Sequence, residues 1–308
     1  MIQRLLPFLT LAVLFVGLAL ASPHFLTNTN LSSVIRQTAV INIMALGMTL
    51  IIVSGGIDLS VGAILAMGGL LGTMAMEKGQ PIPIGIAAGI LAGCFWGFVN
   101  GFLITRLRIN PFIVTLGTLG IVRGLTLIIS NGLPVHQIPK EFSFLGEGNV
   151  LGVPFVLWIL LGSAVIVHVI MEHTKLGRYT FAIGSNPDAA FYAGIPVAFH
   201  TTAVYAIGGA LTGLAGMIEA SRLMTGQPTA GQGYELQAIA AVVIGGGSLR
   251  GGEGSVIGTL VGAFIMGLLS NGSDLLGISP YLQQAIIGAV IILAVSFDEL
   301  RKRRTAVL

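Results

Sequence analysis

Residues able to do covalent chemistry are sparse in this chain, and their spacing does not assemble them. His136, His168 and His200 show no H-E-x-x-H or similar ligand spacing, and Ser, His and Asp are too scattered for a hydrolase triad. The single cysteine, Cys94, lies in an apolar run, so a disulfide framework, a cysteine metal site and a redox pair are all excluded. The glycine-rich run from Gly245 to Gly254 lacks the lysine of a G-x-x-x-x-G-K-[ST] phosphate loop, so the chain is not expected to hydrolyse ATP. The reading is of a protein that is not an enzyme, with no metal and no cofactor of its own. Two charges stand apart. Asp58 lies in Gly55-Gly56-Ile57-Asp58-Leu59-Ser60, between two apolar runs; the glycines should break a helix there, and the carboxylate is placed to cap the next one. Arg123 interrupts another apolar run. A guanidinium at the centre of a bilayer costs at least ~2.5 kcal/mol on insertion scales unless it snorkels or finds partners, and helix carbonyls are the partners expected here.

The elements that must hold these residues are membrane spans. Hydrophobic residues make up 54% of the chain and charged residues only 9%, with 44 glycines in 308 residues, which excludes a soluble fold. The net charge of +3 does not point to nucleic acid, because four of the 15 Lys and Arg are the C-terminal Arg301, Lys302, Arg303 and Arg304, a pattern suited to a membrane edge. A span needs about 20 apolar residues. Candidates lie at 5–21, 37–54, 59–76, 82–105, 110–130, 153–171, 199–219, 235–247, 254–270 and 280–297. The expected fold is all-α: a polytopic membrane protein of about ten helices forming a single domain over 1–308. The run at 235–247 is short enough to be a re-entrant or broken helix instead.

With both termini inside, Arg4, Arg106, Arg108, Lys175, Arg178, Arg250 and the terminal four fall on the inner side. Arg36, Lys78, Lys140 and Arg222 fall outside, so the positive-inside rule favours this path. The first span has a rival reading as a signal peptide, with Ala19-Leu20-Ala21 as its cleavage site. Gly85, Gly89, Gly93, Gly97 and Gly101 recur every four residues, as do Gly254, Gly258 and Gly262; on a helix each set makes a flat stripe that admits a neighbouring backbone.

One polar insert, GRYTFAIGSNPDAAFYAGIP at 177–196, interrupts the apolar pattern. Asn186 is a good N-cap, Pro187 suits the first helical position, and Asp188 faces the positive end of the dipole. Gly194 and Pro196 stop the helix, which predicts about two turns over 187–193 on the inner side. A helix this short is marginal alone, since helices below about 12–15 residues are unstable in water, so it needs a surface. That surface is either the protein's own inner face or a groove in a partner.

The insert resembles a known family. AIGSNPDAAFYAGI (182–195) is similar to the loop by which permease subunits of ATP-binding-cassette importers sit in a cleft of their ATPase, with Asp188-Ala189-Ala190 and Gly194 matching that family's Glu-Ala-Ala and later glycine. Asp188 is shorter than the usual glutamate. SGGIDLSVGA (54–63), INPFIVTLGT (109–118), HTKLGRYTFAIG (173–184), GQPTAGQGYELQAIAAVVIGGGSLRGGEGSVIGTLVGA (226–263) and SPYLQQAIIGAVIILAV (279–295) also resemble the ribose and monosaccharide permease branch, over almost the whole chain.

The resemblance implies a multi-pass permease of a prokaryotic inner membrane that carries ribose or a similar sugar by alternating access. Its cytoplasmic coupling loop is 172–198, with Gly184, Ser185, Asn186, Pro187, Asp188, Ala189, Ala190, Gly194 and Ile195 as the ATPase contact. Implied partners are an ATPase subunit that binds the ATP, an extracytoplasmic sugar-binding protein, and a second permease, identical or not, all within membrane lipid. A sugar's hydroxyls call for neutral donors and acceptors. The candidates are Asn42, Ser60, Asn100, Asn110, Thr115 and Thr118, with Asp58 either a cap or a gating or pathway group; each could equally serve to cap or bridge helices. The alternative is a secondary transporter or facilitator, weakened because only Asp58 and Arg123 are strong intramembrane charges.

Overall fold

The computed structural model describes residues 2–305; the side chains of Arg4 and of the terminal basic run Arg301 to Arg304 lie outside what is described. The fold is helical apart from a two-residue hairpin. In chain order the helices are α1 (Ile2–Ala21), α2 (Asn28–Val53), α3 (Val61–Glu77), α4 (Ile82–Leu107), α5 (Pro111–Ile129), α6 (Phe144–Glu147), α7 (Phe155–His173), α8 (Lys175–Ser185), α9 (Pro187–Tyr192), α10 (Val197–Leu223), α11 (Tyr234–Ile244), α12 (Val256–Leu275) and α13 (Pro280–Thr305). Strand β1 (Asn149–Val150) pairs antiparallel with β2 (Val153–Pro154).

Among the described residues, six helices are long and apolar enough to cross a membrane: α2, α4, α5, α7, α10 and α12. Shorter apolar stretches are Leu5–Ala21, Val61–Glu77, Tyr234–Ile244 and Pro280–Leu293. The chain is therefore a polytopic membrane protein. The span expected at 235–247 is α11, of 11 residues. At 1.5 Å per residue it covers roughly 16 Å, about half of a 30 Å hydrocarbon core.

Helix boundaries follow local capping. Thr27 accepts a hydrogen bond from Asn30 N and starts α2 nine residues ahead of the apolar run, because its first turns are polar and hydropathy alone does not reveal them. Asn110, Thr174 and Ser255 cap α5, α8 and α12 in the same way. Because Ser255 is the cap, Gly254 lies before the helix, so the expected Gly254, Gly258 and Gly262 stripe loses its first member. Gly258 and Gly262 do face a neighbour: a methyl on them would strike the carbonyl oxygens of Gly245 and Ala241 at the end of α11.

Burial separates centre from rim. Of its most apolar stretch, α2 buries 83% and α4 only 22%. What α4 buries is Gly85, Gly89, Gly93, Gly97, Asn100 and Gly101, so its glycine stripe and one amide face inward while the rest is half-buried or exposed. Across the stripe lies α10: a methyl on Gly93 would strike Gly209 O, and one on Gly97 would strike Tyr205 O. Helices in lipid lack a hydrophobic drive to associate, so close backbone approach supplies dispersion contacts instead. Gly93→Leu is accordingly expected to abolish recovery of folded chain from membranes, since overpacking costs about 1–3 kcal/mol even where side chains can shift. Gly162→Leu on α7, with open space around its Cα, is expected to be recovered near the wild-type level by size-exclusion chromatography in detergent.

The two ends of the bundle differ. At one end, Arg36 on α2 pairs with Glu147 (3.2 Å) and donates to Glu147 O (2.9 Å) and Asn149 Oδ1 (3.2 Å), while Val135 bridges Gly226. At the other end α8 and the glycine-rich loop after α11 gather around the C-terminus of α2, and α9 packs on α8 and α10.

Candidate functional site

Ser54 and Gly55 end α2, with Gly55 in the left-handed region (φ 84°) that favours glycine. The chain then runs irregularly through Gly56, Ile57 and Asp58 and turns at Leu59 and Ser60 into α3, and a polar cluster forms around the break. Asp58 is fully buried. Its Oδ1 accepts from Ser60 N (2.8 Å) and Ser60 Oγ, and its Oδ2 accepts from Asn100 Nδ2 (3.3 Å). Asn100, on the inward stripe of α4, also donates to Ser60 Oγ (2.9 Å). Asp58 does not cap α3 as expected. It stands two residues ahead of the Ser60 cap position and closes an Asx turn on the Ser60 amide, because Leu59 and Ser60 intervene before α3 begins.

The preceding carbonyl, Ile57 O, is held from a further helix. Tyr205 OH on α10 donates to it at 3.1 Å, while Thr115 Oγ1 on α5 lies 3.4 Å away with its one proton on Pro111 O of its own helix (2.8 Å). A methyl on Gly56 would collide with the Tyr205 hydroxyl, so Gly56 makes room for that bond. Tyr205 is fully buried and absent from the residues singled out by sequence. Its signal was available: a tyrosine inside an apolar span needs a partner for its hydroxyl. The α2–α3 break is thus tied to α4 and α10 by bonds to neutral side chains and is flanked by Thr115 on α5, an arrangement that orients backbone and presents no activated nucleophile.

The remaining candidates separate. Thr118 is buried one turn beyond Thr115 on α5. Asn42 is buried in α2, more than two turns from the break, where its Nδ2 donates to Thr38 O of its own helix (3.0 Å) and its Oδ1 has no partner. Asn110 is exposed at the N-terminus of α5, where its Oδ1 accepts from Phe112 N (2.9 Å). That geometry makes it a cap.

Arg123 donates to Pro228 O (2.9 Å) and Ala230 O (2.8 Å). These carbonyls are not helical as expected; they belong to the irregular segment between α10 and α11, which has free carbonyls because it makes no helix ladder. Non-helical backbone inside a membrane protein is tolerated only where protein or a water-filled cavity satisfies it. Glu219 anchors the far side of the same segment, accepting from Arg222 Nη1 (2.7 Å) and Tyr234 OH (3.3 Å). Arg123→Leu is expected to lower the Tm in detergent by several degrees, since each stranded buried carbonyl costs about 1–3 kcal/mol. Arg123→Lys, which keeps one donor, is expected to fall between the two in thermal unfolding.

The polar insert contains two helices where sequence reading offered one. Thr174 accepts from Gly177 N (3.2 Å) and starts α8, whose Gly177, Thr180, Ile183 and Gly184 face inward. That spacing was legible as a helical stripe, but the glycines and charges masked it. Asn186 ends α8 and starts α9, accepting from Ala189 N at 2.9 Å as expected. In α9 only Ala190 is buried; Phe191 and Tyr192 are 66% and 87% exposed, their rings edge to face at 5.8 Å. Asp188, Ala189 and Gly194 are exposed and Ile195 is half-buried.

The family described as "Branched-chain amino acid transport system / permease component" matches residues 30–295. The chain is 43% identical over 298 residues to the ribose import permease protein of Bacillus subtilis (strain 168), covering 96% of this chain and 92% of that one. It is 43% identical over 294 residues to the ribose import permease protein of Escherichia coli (strain K12), covering 94% and 92%. It is 37% identical over 295 residues to the D-allose transport system permease protein of Escherichia coli (strain K12), covering 95% and 90%. No solved structure matches the chain.

Proposed function

The chain belongs to the family of branched-chain amino acid transport system permease components, and from that premise we propose that it is the transmembrane permease subunit of an ATP-binding-cassette importer that carries a monosaccharide, ribose or a similar sugar, across a prokaryotic inner membrane. Its relatives that import ribose and allose support the sugar class. The observation that carries the coupling is α9: a capped helix of six residues that buries one alanine and leaves Phe191 and Tyr192 in the open. Those rings are the surface a separate ATPase would grip. The ATPase supplies ATP binding, an extracytoplasmic binding protein delivers the sugar, and a second permease, identical or not, completes the membrane part.

The proposed path has ten crossings with both termini inside. The long helices make six, α1, α3 and α13 add three, and the segment before α11 completes the crossing that α11 is too short to make alone. Charge supports this orientation. Gly101 on α4 packs against Thr202 near the start of α10, which puts Arg106 and Arg108 at the α9 end with Lys175, Arg178 and Arg250. Cationic residues favour the cytoplasmic side. We assign the sugar pathway to Asn42 and Thr118, and give Asp58, Ser60, Asn100 and Thr115 to the pivot at the α2–α3 break. The test is reconstitution: proteoliposomes with the chain, its ATPase and its binding protein should accumulate labelled sugar on ATP addition, and those lacking the ATPase should not. Uptake that collapses with an ionophore while ATP stays high would overturn the reading in favour of a secondary transporter.

A further inference from the structure

Three backbone segments cross at the α9 end of the bundle with no side chain between them. The end of α8 meets the end of α2 at Gly184, where a methyl would strike Val53 O and lie 2.6 Å from Gly252 N. The glycine-rich loop closes the triangle. Gly252 N donates to Val53 O at 2.9 Å, and a methyl on Gly251 would lie 2.7 Å from Gly184 O and 2.8 Å from the Gly55 Cα. Gly251 (φ 87°) and Gly55 (φ 84°) are both left-handed, so a side chain at either position is opposed by conformation as well as by space. These contacts differ from the α4–α10 stripe in what they connect. On one side Gly184 is two residues from Asn186, the cap that starts α9. On the other, Gly55 is three residues from Asp58 and two from the Ile57 carbonyl held by Tyr205.

Resting on the reading of α9 as the ATPase contact, we infer that Gly55, Gly184 and Gly251 form the joint that carries α9's displacement to the α2–α3 break, the three segments moving as one body. Direct backbone contact suits this, because a side chain between the segments would swing among rotamers and absorb motion that abutting main chain passes on. The three glycines are positioning residues that act through Ile57 and Asp58.

The test uses the reconstituted complex and reads sugar moved per ATP hydrolysed. Gly251→Ala pries the glycine-rich loop from α8 and α2, with its methyl 2.7 Å from Gly184 O and 2.8 Å from the Gly55 Cα. It is expected to retain ATPase capture at the wild-type ratio and basal ATP hydrolysis within twofold, while sugar moved per ATP falls at least tenfold. A purely structural glycine would lower the amount of complex and leave that ratio alone, so a ratio within twofold of wild type overturns the joint. If Gly251→Ala does not fold, hydrogen exchange on the wild-type complex decides. The Gly252 amide is expected to be equally protected in the nucleotide-free and ADP-vanadate-trapped states, and a tenfold loss of protection on trapping overturns movement as one body. Equal ATPase capture by the wild-type chain and by a chain carrying F191S and Y192S would count against the α9 reading itself. Capture that depends on α9, together with an undiminished ratio in Gly251→Ala, would remove the joint alone.

Discussion

Replacing Phe191 and Tyr192 together with serine is expected to lower ATPase capture and ATP-driven sugar uptake at least 30-fold while leaving the chain folded. The separation of effects follows from where the rings point. Both are well exposed, and the helix is anchored by Ala190, by the Asn186 cap and by a turn in which Ile195 N donates to Ala190 O at 3.0 Å. None of those anchors uses the aromatic pair, so its removal takes little from the fold of the isolated chain. What it takes from a complex is large. Burying an aromatic side chain is worth about 1.5–3 kcal/mol relative to leaving it exposed. Interface anchors of this type commonly reach about 2 kcal/mol or more on truncation. A combined loss of roughly 2–4 kcal/mol corresponds to about 30-fold to 1000-fold in affinity. The measurement is co-purification of the ATPase with tagged permease, alongside uptake at equal permease abundance. Capture within threefold of wild type would mean that α9 is an ordinary surface turn.

How much of this was legible in the sequence depends on the range of the interaction that decides each feature. The α4 stripe was legible because glycines four apart share a helix face whatever the neighbour is, and each one faces inward. The Asn186 cap and α9 were legible because capping acts over three residues. The first turns of α2 were not, since polar residues there form helix through the Thr27 cap and the ties of Arg36 to Glu147 at the end of α6, more than a hundred residues on. Helix α8 was hidden because Gly177 and Gly184, poor helix formers in isolation, are required by tertiary contact: methyls there would strike the backbone of α7 and α2. The cluster at Asp58 was half visible. Ser60 and Asn100 were marked as polar residues in apolar runs, but only the fold shows that they meet, and Tyr205 joins them from 148 residues away by its bond to Ile57 O.

The geometry also separates the two roles that polar groups play within the membrane. Asp58, Ser60 and the Asn100 amide nitrogen bond to one another and Tyr205 bonds the backbone beside them, whereas Asn42 bonds only within its own helix; Asn42 Oδ1 and Asn100 Oδ1 are both buried and unpaired. Groups that bond to one another across helices move together. This is why the pivot is assigned to the set that meets at the break, and the sugar pathway to Asn42 and Thr118, which are buried outside that set.

That assignment leads to the second large effect: Asp58→Ala is expected to reduce uptake at least tenfold at equal membrane abundance. Alanine removes the acceptor for the Ser60 amide and for one proton of the Asn100 amide; the bond from Asn100 to Ser60 Oγ remains. Stranding a buried donor costs about 1–3 kcal/mol, although pairs within membranes average nearer 0.6 kcal/mol because alternative partners are found there. The expected loss of stability is therefore modest. The loss of function is larger, because the freed Ile57–Ser60 turn no longer follows α4 when α2 moves. Asn100→Ala should produce the same defect through the other partner, and the double variant should be little worse than either single one, since residues acting as a unit are not additive. Initial uptake rates in proteoliposomes, normalised to permease content and compared across the four proteins, measure this. Unchanged uptake in Asp58→Ala, or fully additive defects in the double variant, would show that the cluster merely fills the break and takes no part in moving it.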